Sequence, residues 1–277
     1  MFGWLSVFKF NYNNSRAGNG LEWQPPPQGK KVARLPRLNL INIPQHIVQT
    51  GLRGELCFYD SDDFEFYLAS LEVASKQYMC DIHTYVLLKN SVQIIATPKL
   101  PNGIPSMMQS LGRRYVQYAN HRYQRSGSLW DRYKSSLIDS NAYLLSCYRY
   151  VELRPLQLDN IKDLKDYPWS SFHHHSGHDP SALIKDHLVY TSLGENSVDR
   201  CNAYNRLFAY NFDPKLRDYI AETVRSGQIL GGDHFKDQIE KIANRRIRPL
   251  KRGRPRKQDK TEKQPITSSD ETADVEK

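Results

Sequence analysis

Two β-branched, apolar runs, Cys80–Leu88 and Val92–Thr97, flank the polar break Lys89-Asn90-Ser91. This pattern predicts a β-hairpin, and every other element has to be arranged around it. His46–Gln49 reads as a short strand closed by Thr50-Gly51. Asp62–Tyr78 has apolar positions at roughly helical spacing (Phe64, Tyr67, Leu68, Leu71, Val73, Ala74), with Ser61 as its expected cap and Asp62, Asp63 and Glu65 at its dipole-positive end. Pro98–Pro105 reads as a loop and Ser106–Arg125 as a helix. Trp130–Ile138 reads as a strand, and Asn141–Leu153 as a helix that Ser140 caps and Pro155 ends. The order β-α-β-β-α-β predicts an α+β fold: a ferredoxin-like, split βαβ antiparallel sheet with helices on one face.

The flanks differ in composition. Asn11–Asn19 is rich in Asn, Ser and Gly, and Pro25-Pro26-Pro27 follows it, so residues 1–32 are expected to be disordered. A compact domain is expected over 33–172 and a helical extension over 173–242, with helices at Pro214–Ser226 and His234–Ile242. A disordered basic tail is expected over 243–277.

Charge is concentrated in that tail. The chain carries a formal +9, yet Ala243–Lys257 alone holds eight Arg or Lys and no acid. Such a run is the electrostatic footprint of a polyanion-binding segment, with a solvated tail as the alternative. Within it, Arg252, Gly253, Arg254, Pro255 and Arg256 resemble an AT-hook. Glycine lets the backbone approach the floor of a minor groove, proline keeps the chain extended, and the arginines enter the narrow groove of A·T-rich duplex.

A second basic stretch interleaves Arg113, Arg114, Arg122, Arg125, Arg132 and Lys134 with Tyr115, Tyr118, Tyr123, Trp130 and Tyr133. Cations alternating with rings suit single-stranded nucleic acid. A helix with its rings inward and its arginines in water fits the same composition. The four cysteines are widely spaced, with no Cys-x-x-Cys pair, which argues against a zinc ribbon or a disulfide scaffold and fits a reducing cytoplasm. No apolar run reaches the length of a membrane span.

Several segments, in order, resemble one family. They are Ala33–Pro44 (ARLPRLNLINIP), Met108–Tyr118 (MQSLGRRYVQY), Tyr133–Ile138 (YKSSLI), Arg149–Leu153 (RYVEL), Tyr167–Ser171 (YPWSS) and the late GRPRK. The family is that of the REP-associated tyrosine transposases, in the HUH class of single-strand transposases. The resemblance implies DNA transposition by strand cleavage and rejoining. A helix-borne tyrosine attacks a DNA phosphate, and a divalent metal (Mg or Mn), held chiefly by a His-x-His strand motif, polarises it. Aligned to that pattern, Tyr150 falls on the nucleophile.

The metal motif does not carry over. Asn90-Ser91-Val92-Gln93 stands where the family has Asn-His-x-His, so Ser91 and Gln93 occupy the ligand places and no metal cofactor is expected in this copy. The family's asparagine before proline is Arg154, one helical turn from Tyr150, a residue able to contact a phosphate but not a metal ion. The loop Leu129–Tyr133 is one residue shorter than the family's, and Val32 stands where the family starts with methionine, which suggests an alternative start codon. His46 reads as an ordinary strand histidine, His83 has no assigned role, and His173, His174, His175 and His178 read as a loop rather than a metal cluster.

The resulting expectation is a DNA-binding protein of the transposase family with impaired cleavage. A metal-independent transposase using Arg154 and a non-enzymatic DNA binder or repressor are the alternatives. Tyr150 and Arg154 are the catalytic candidates. Arg113, Arg114, Arg122, Arg132 and Lys134 are the DNA-binding candidates of the domain. Expected partners are single-stranded or hairpin DNA for the domain, A·T-rich duplex for the tail and a second copy of the chain, with no membrane, at a cytoplasmic, nucleoid-associated location.

Overall fold

The protein is described by a computed structural model over residues 37–158 and 161–248. The proline-rich N-terminal segment and the AT-hook-like run from Arg252 to Arg256 lie outside the described residues.

The expected order of elements is present: β1 (Gln45–Thr50), α1 (Ser61–Gln77), β2 (Cys80–Leu88), β3 (Ser91–Pro98), α2 (Gly103–Arg122), β4 (Lys134–Leu137) and α3 (Ser140–Glu152). The sheet order is β2-β3-β1-β4, and every neighbouring pair is antiparallel. Strands β1 and β2 therefore run parallel with β3 between them, which is the split βαβ arrangement.

Element ends depart from the sequence expectation for local reasons. Asp60 rather than Ser61 caps α1, its carboxylate accepting from the Asp63 amide at 3.3 Å. Helix α2 begins three residues early, at Gly103, because Pro105 falls within a first turn, where its missing N–H costs nothing. Pro155 does not end the helical path. It is the second residue of a short helix, α4 (Arg154–Leu158), where its fixed φ suits a first turn. Strand β4 starts only at Lys134, since Trp130 turns into the core.

Helices α1 and α2 cover one face of the sheet. Ile47, Ile82, Tyr85, Leu87, Val92, Ile94 and Ala96 pack there against Phe64, Tyr67, Leu71, Met107, Leu111 and Tyr115. Phe58 is the hub, stacked on Phe64 at 4.5 Å and edge-on to Tyr67 at 5.4 Å. Burying side chains of this size contributes about 1.5–3 kcal/mol each.

The opposite face is covered as well. Val86, Leu88 and Ile95 meet Leu144, Cys147, Tyr148 and Val151 of α3. Tyr190, Tyr204 and Ile220 complete that cluster, from α6 (Leu188–Thr191), α7 (Ser197–Phe208) and α8 (Pro214–Ser226). A short helix, α5 (Phe172–His175), lies between α4 and α6, and α9 (Asp233–Ala243) packs Ile239 on Leu137.

One irregularity sets the phase of β2. Ile82 pairs with Ala96 and Thr84 with Ile95, so His83 is an extra residue in a bulge. Ile82 and Tyr85 thus both face α1 and α2, while Thr84 and Val86 face α3. Among the described residues no helix is long and apolar enough to cross a membrane.

Candidate active site at Tyr150

The face under α3 carries a polar row. Ser91, Gln93 and Ile95 alternate on it along β3, and His46 lies beside Gln93 on β1. On β4, Ser136 stands opposite His46 and Lys134 opposite Val48, which places both on the same face. An antiparallel sheet brings these positions together whatever their separation in sequence.

Tyr150 of α3 lies over this row. Its ring meets the His46 ring edge-on, with centroids 5.7 Å apart. His46 Nε2 is 3.0 Å from Gln93 Oε1, so the ring nitrogen donates to the amide oxygen, and His46 Nδ1 is left buried without a partner. Burial pushes the His46 pKa down to about 4, the Gln93 bond opposing and the Arg154 charge adding to the fall. His46 is therefore a neutral imidazole at pH 7. Burial also raises the Tyr150 hydroxyl above its ordinary value, with Arg154 pulling the other way. The hydroxyl makes no hydrogen bond to a described residue.

Arg154 closes the site from above, its guanidinium carbon 5.8 Å from the Tyr150 ring centre. Its one side-chain hydrogen bond is to Gln157 at 3.0 Å, its Nε is buried and unpartnered, and no carboxylate among the described residues pairs with it. A guanidinium with unused donors beside a phenol is arranged for an oxyanion.

The structure thus brings Tyr150, Arg154 and Gln93 together through His46. Sequence reading set His46 aside as an ordinary strand residue, yet it is the centre of the group. Ser91 shares the face, but its hydroxyl bonds only to neighbouring Asn90, at 3.4 Å. The donors on offer to a divalent metal are a neutral histidine already bonded to an amide, that amide and the Ser91 hydroxyl, with a cation beside them and no carboxylate among the described residues. This set does not fit a magnesium or manganese ion.

Glu152 was also missed. It is wholly buried at the end of α3 and accepts from Thr84 (3.0 Å), Ser171 (2.6 Å), His175 Nδ1 (2.7 Å) and Tyr204 (2.6 Å). Burial would raise its pKa. The His175 partner and the hydrogen bonds from Ser171 and Tyr204 outweigh that and hold it below the usual carboxylate range. The two motifs RYVEL and YPWSS are therefore tied by one buried carboxylate, which fixes the helix end two residues from Tyr150. His83 is buried too, bonded to the Lys185 carbonyl at 2.7 Å and the Thr97 hydroxyl at 2.8 Å.

The second basic stretch divides. Its rings point inward: Tyr115 donates to the Cys57 carbonyl, Tyr118 and Tyr123 donate to Asp63, and Trp130 is in the core. Arg122 is held by Asp60 at 2.6 Å and Asp62 at 3.0 Å. Arg113 and Arg114 are exposed and line an open depression of about 240 Å³ on α2, the helix on the far face of the sheet from Tyr150. Arg132 is exposed, and Lys134 is half-buried on the Tyr150 face.

A ferredoxin-like sheet with a helix-borne tyrosine over its two central strands is the class of architecture that these residues define. No family model matches the chain, and no curated protein matches it. Among solved structures it is similar to a REP-associated tyrosine transposase bound to a REP hairpin, with a TM-score of 0.46 and 14% identity over 57% of this chain and 93% of the other. A bacterial tRNA(His) guanylyltransferase-like protein in complex with GTP is similar with a TM-score of 0.34 and 11% identity, over 48% and 73% of the two chains. At these scores the likenesses do not choose between activities, so any functional reading rests on the residues.

Proposed function

We propose that this protein binds single-stranded or hairpin DNA through the Tyr150 face, as a member of the REP-associated tyrosine transposase family whose metal-dependent cleavage is lost. The observation that carries the reading is the placement of Tyr150 across β1 and β3 from His46 and Gln93, with the guanidinium of Arg154, paired with no carboxylate among the described residues, beside its hydroxyl-bearing ring. The ordered series of family-like segments supports it. Lys134 adds a cation to the same face. Arg132 would hold a further length of strand, Arg113 and Arg114 would reach it only if it wraps to the far face of the sheet, and the basic tail would add A·T-rich duplex contacts. Arg122 is a poorer phosphate ligand than the sequence suggests, because two aspartates already engage it.

A second reading is favoured by Arg154 itself. With no metal, its donors could stabilise the charge on a phosphate attacked by Tyr150. The Tyr150 Oη–P bond would form as the P–O bond to the adjoining nucleoside breaks, and the departing oxygen would take up the phenolic proton.

One experiment separates the two: the full chain incubated with labelled hairpin DNA, with and without manganese. Binding with no covalent adduct in either condition is the expected result. An adduct formed without manganese that disappears in Tyr150→Phe would establish the second reading, an adduct formed only with manganese would overturn both, and so would absence of binding.

A further inference from the structure

The geometry points to a metal site away from Tyr150: His174, His175 and Asp186 hold a divalent transition ion of the zinc class. One ring nitrogen from each histidine and a carboxylate oxygen of Asp186 lie within 4.8 Å of one another. Consecutive histidines are poorly placed to share an ion when the chain is extended. Here they end a short helix, with ring centroids 5.3 Å apart and planes crossed at 84°, and one ring nitrogen of each comes near the Asp186 carboxylate.

The independent sign of a ligand is His175. Its side chain is fully buried, and Nδ1 donates to Glu152 Oε1 at 2.7 Å. The other nitrogen, Nε2, is buried and has no partner. If protonated, it would leave a buried N–H unsatisfied; if not, it offers a buried lone pair to nothing. A bound cation resolves this, and an imidazole whose far N–H is held by a carboxylate is the usual form of a metal-ligating histidine. Glu152 is itself fixed by Thr84, Ser171 and Tyr204, so the outer support is already rigid. The buried hydroxyl of Tyr148, whose ring lies 5.0 Å from that of His175, is also without a partner.

The other two ligands lie toward solvent, with side-chain exposures of 16% for His174 and 31% for Asp186, which provides an entry path and room for water in the remaining positions. His174 Nε2 is 3.0 Å from Asp186 Oδ1, and the ion would replace the proton now between them. His174 Nδ1 accepts from the Ser181 amide at 3.0 Å, and it would release that bond and take up the tautomeric proton. Tetrahedral zinc sets neighbouring N and O donors about 3.3 Å apart, so the open side of the cluster closes by up to about 1.5 Å. His173 and His178 are bonded elsewhere, to the Tyr167 carbonyl and the Ser176 hydroxyl.

The test uses the untagged full chain, stripped with a chelator, and zinc or cobalt ions alone. Titration calorimetry should give one zinc per chain, and cobalt should produce the visible absorption of a tetrahedral N/O site. Asp186→Asn and His174→Gln, both toward the surface, should each weaken zinc binding at least tenfold, and His175→Gln should abolish it. No zinc uptake by the wild type, or uptake unchanged in both surface variants while circular dichroism shows them folded, overturns the assignment. Neither readout depends on DNA, so this result and that of the adduct experiment stand apart.

Discussion

The two faces of the sheet are built on different principles. Against α1 and α2 the contacts are almost wholly apolar and aromatic, with Phe58, Phe64, Tyr67, Tyr115 and Trp130 interlocked. Against α3 the centre of the sheet presents His46, Gln93 and Ser136, and the helix answers with Tyr150 and Glu152. Polar groups in a buried layer are costly unless paired. The lesson is that the first face rests mainly on shape, with hydrogen bonds from Tyr115, Tyr118 and Tyr123 at its edge, whereas the second has specific hydrogen bonds at its centre.

The largest effect should come from the first face. Phe58→Ala removes the hub of the ring cluster and should cost about 4 kcal/mol in denaturant unfolding. A loss under about 1 kcal/mol would mean that this face is looser than its packing implies. On the second face, Glu152→Ala should cost about 3 kcal/mol, because it strands four donors inside the protein. If unfolding is unaffected, the contrast between shape and hydrogen bonding fails.

A pH titration sharpens the same contrast. Burial lowers His83 to about 4, and its bond to the Lys185 carbonyl only partly offsets that. His46 is lowered to a similar value. In the unfolded chain both take up a proton below about 6.5, while the folded protein resists. The neutral-histidine contribution is thus complete above pH 6.5 and is lost as the pH falls toward 4, by at most about 3 kcal/mol for each. His83→Gln should flatten the acid limb of a stability–pH curve, and an unchanged limb would count against the burial argument. The smallest effect belongs to Tyr150→Phe. Its hydroxyl has no partner, so unfolding should move by less than about 0.5 kcal/mol, and a larger loss would make the residue a structural member of the layer.

The parts legible from sequence are those encoded locally. The hairpin follows from two apolar runs and their break, and α1 follows from its period and acidic start. Tyr150 and Arg154 are four residues apart, the spacing of one helical turn, and they stay neighbours although α3 ends at Glu152 and Arg154 opens α4. The rest depended on distant contacts. His46 meets Gln93 only because β1 inserts beside β3, a pairing that strand order sets and local pattern does not. Glu152 gives no hint of burial in a helix end flanked by arginines, since its partners come from β2, the turn at Ser171, α5 and α7. Whether Tyr115 and Tyr118 faced a nucleic acid or the core was open from composition, and packing against α1 decided it.

The extra residue at His83 has a consequence for how this chain can change over time. Taking His83 out would leave Ile82 opposite Ala96 and Thr84 opposite Ile95, so every later side chain would keep its side and the strand would lose only the bulge and the His83 bonds to Lys185 and Thr97. This strand can therefore absorb the loss of one residue at that point, as can loop tips such as the segment before Lys134, without turning a hydroxyl toward the rings.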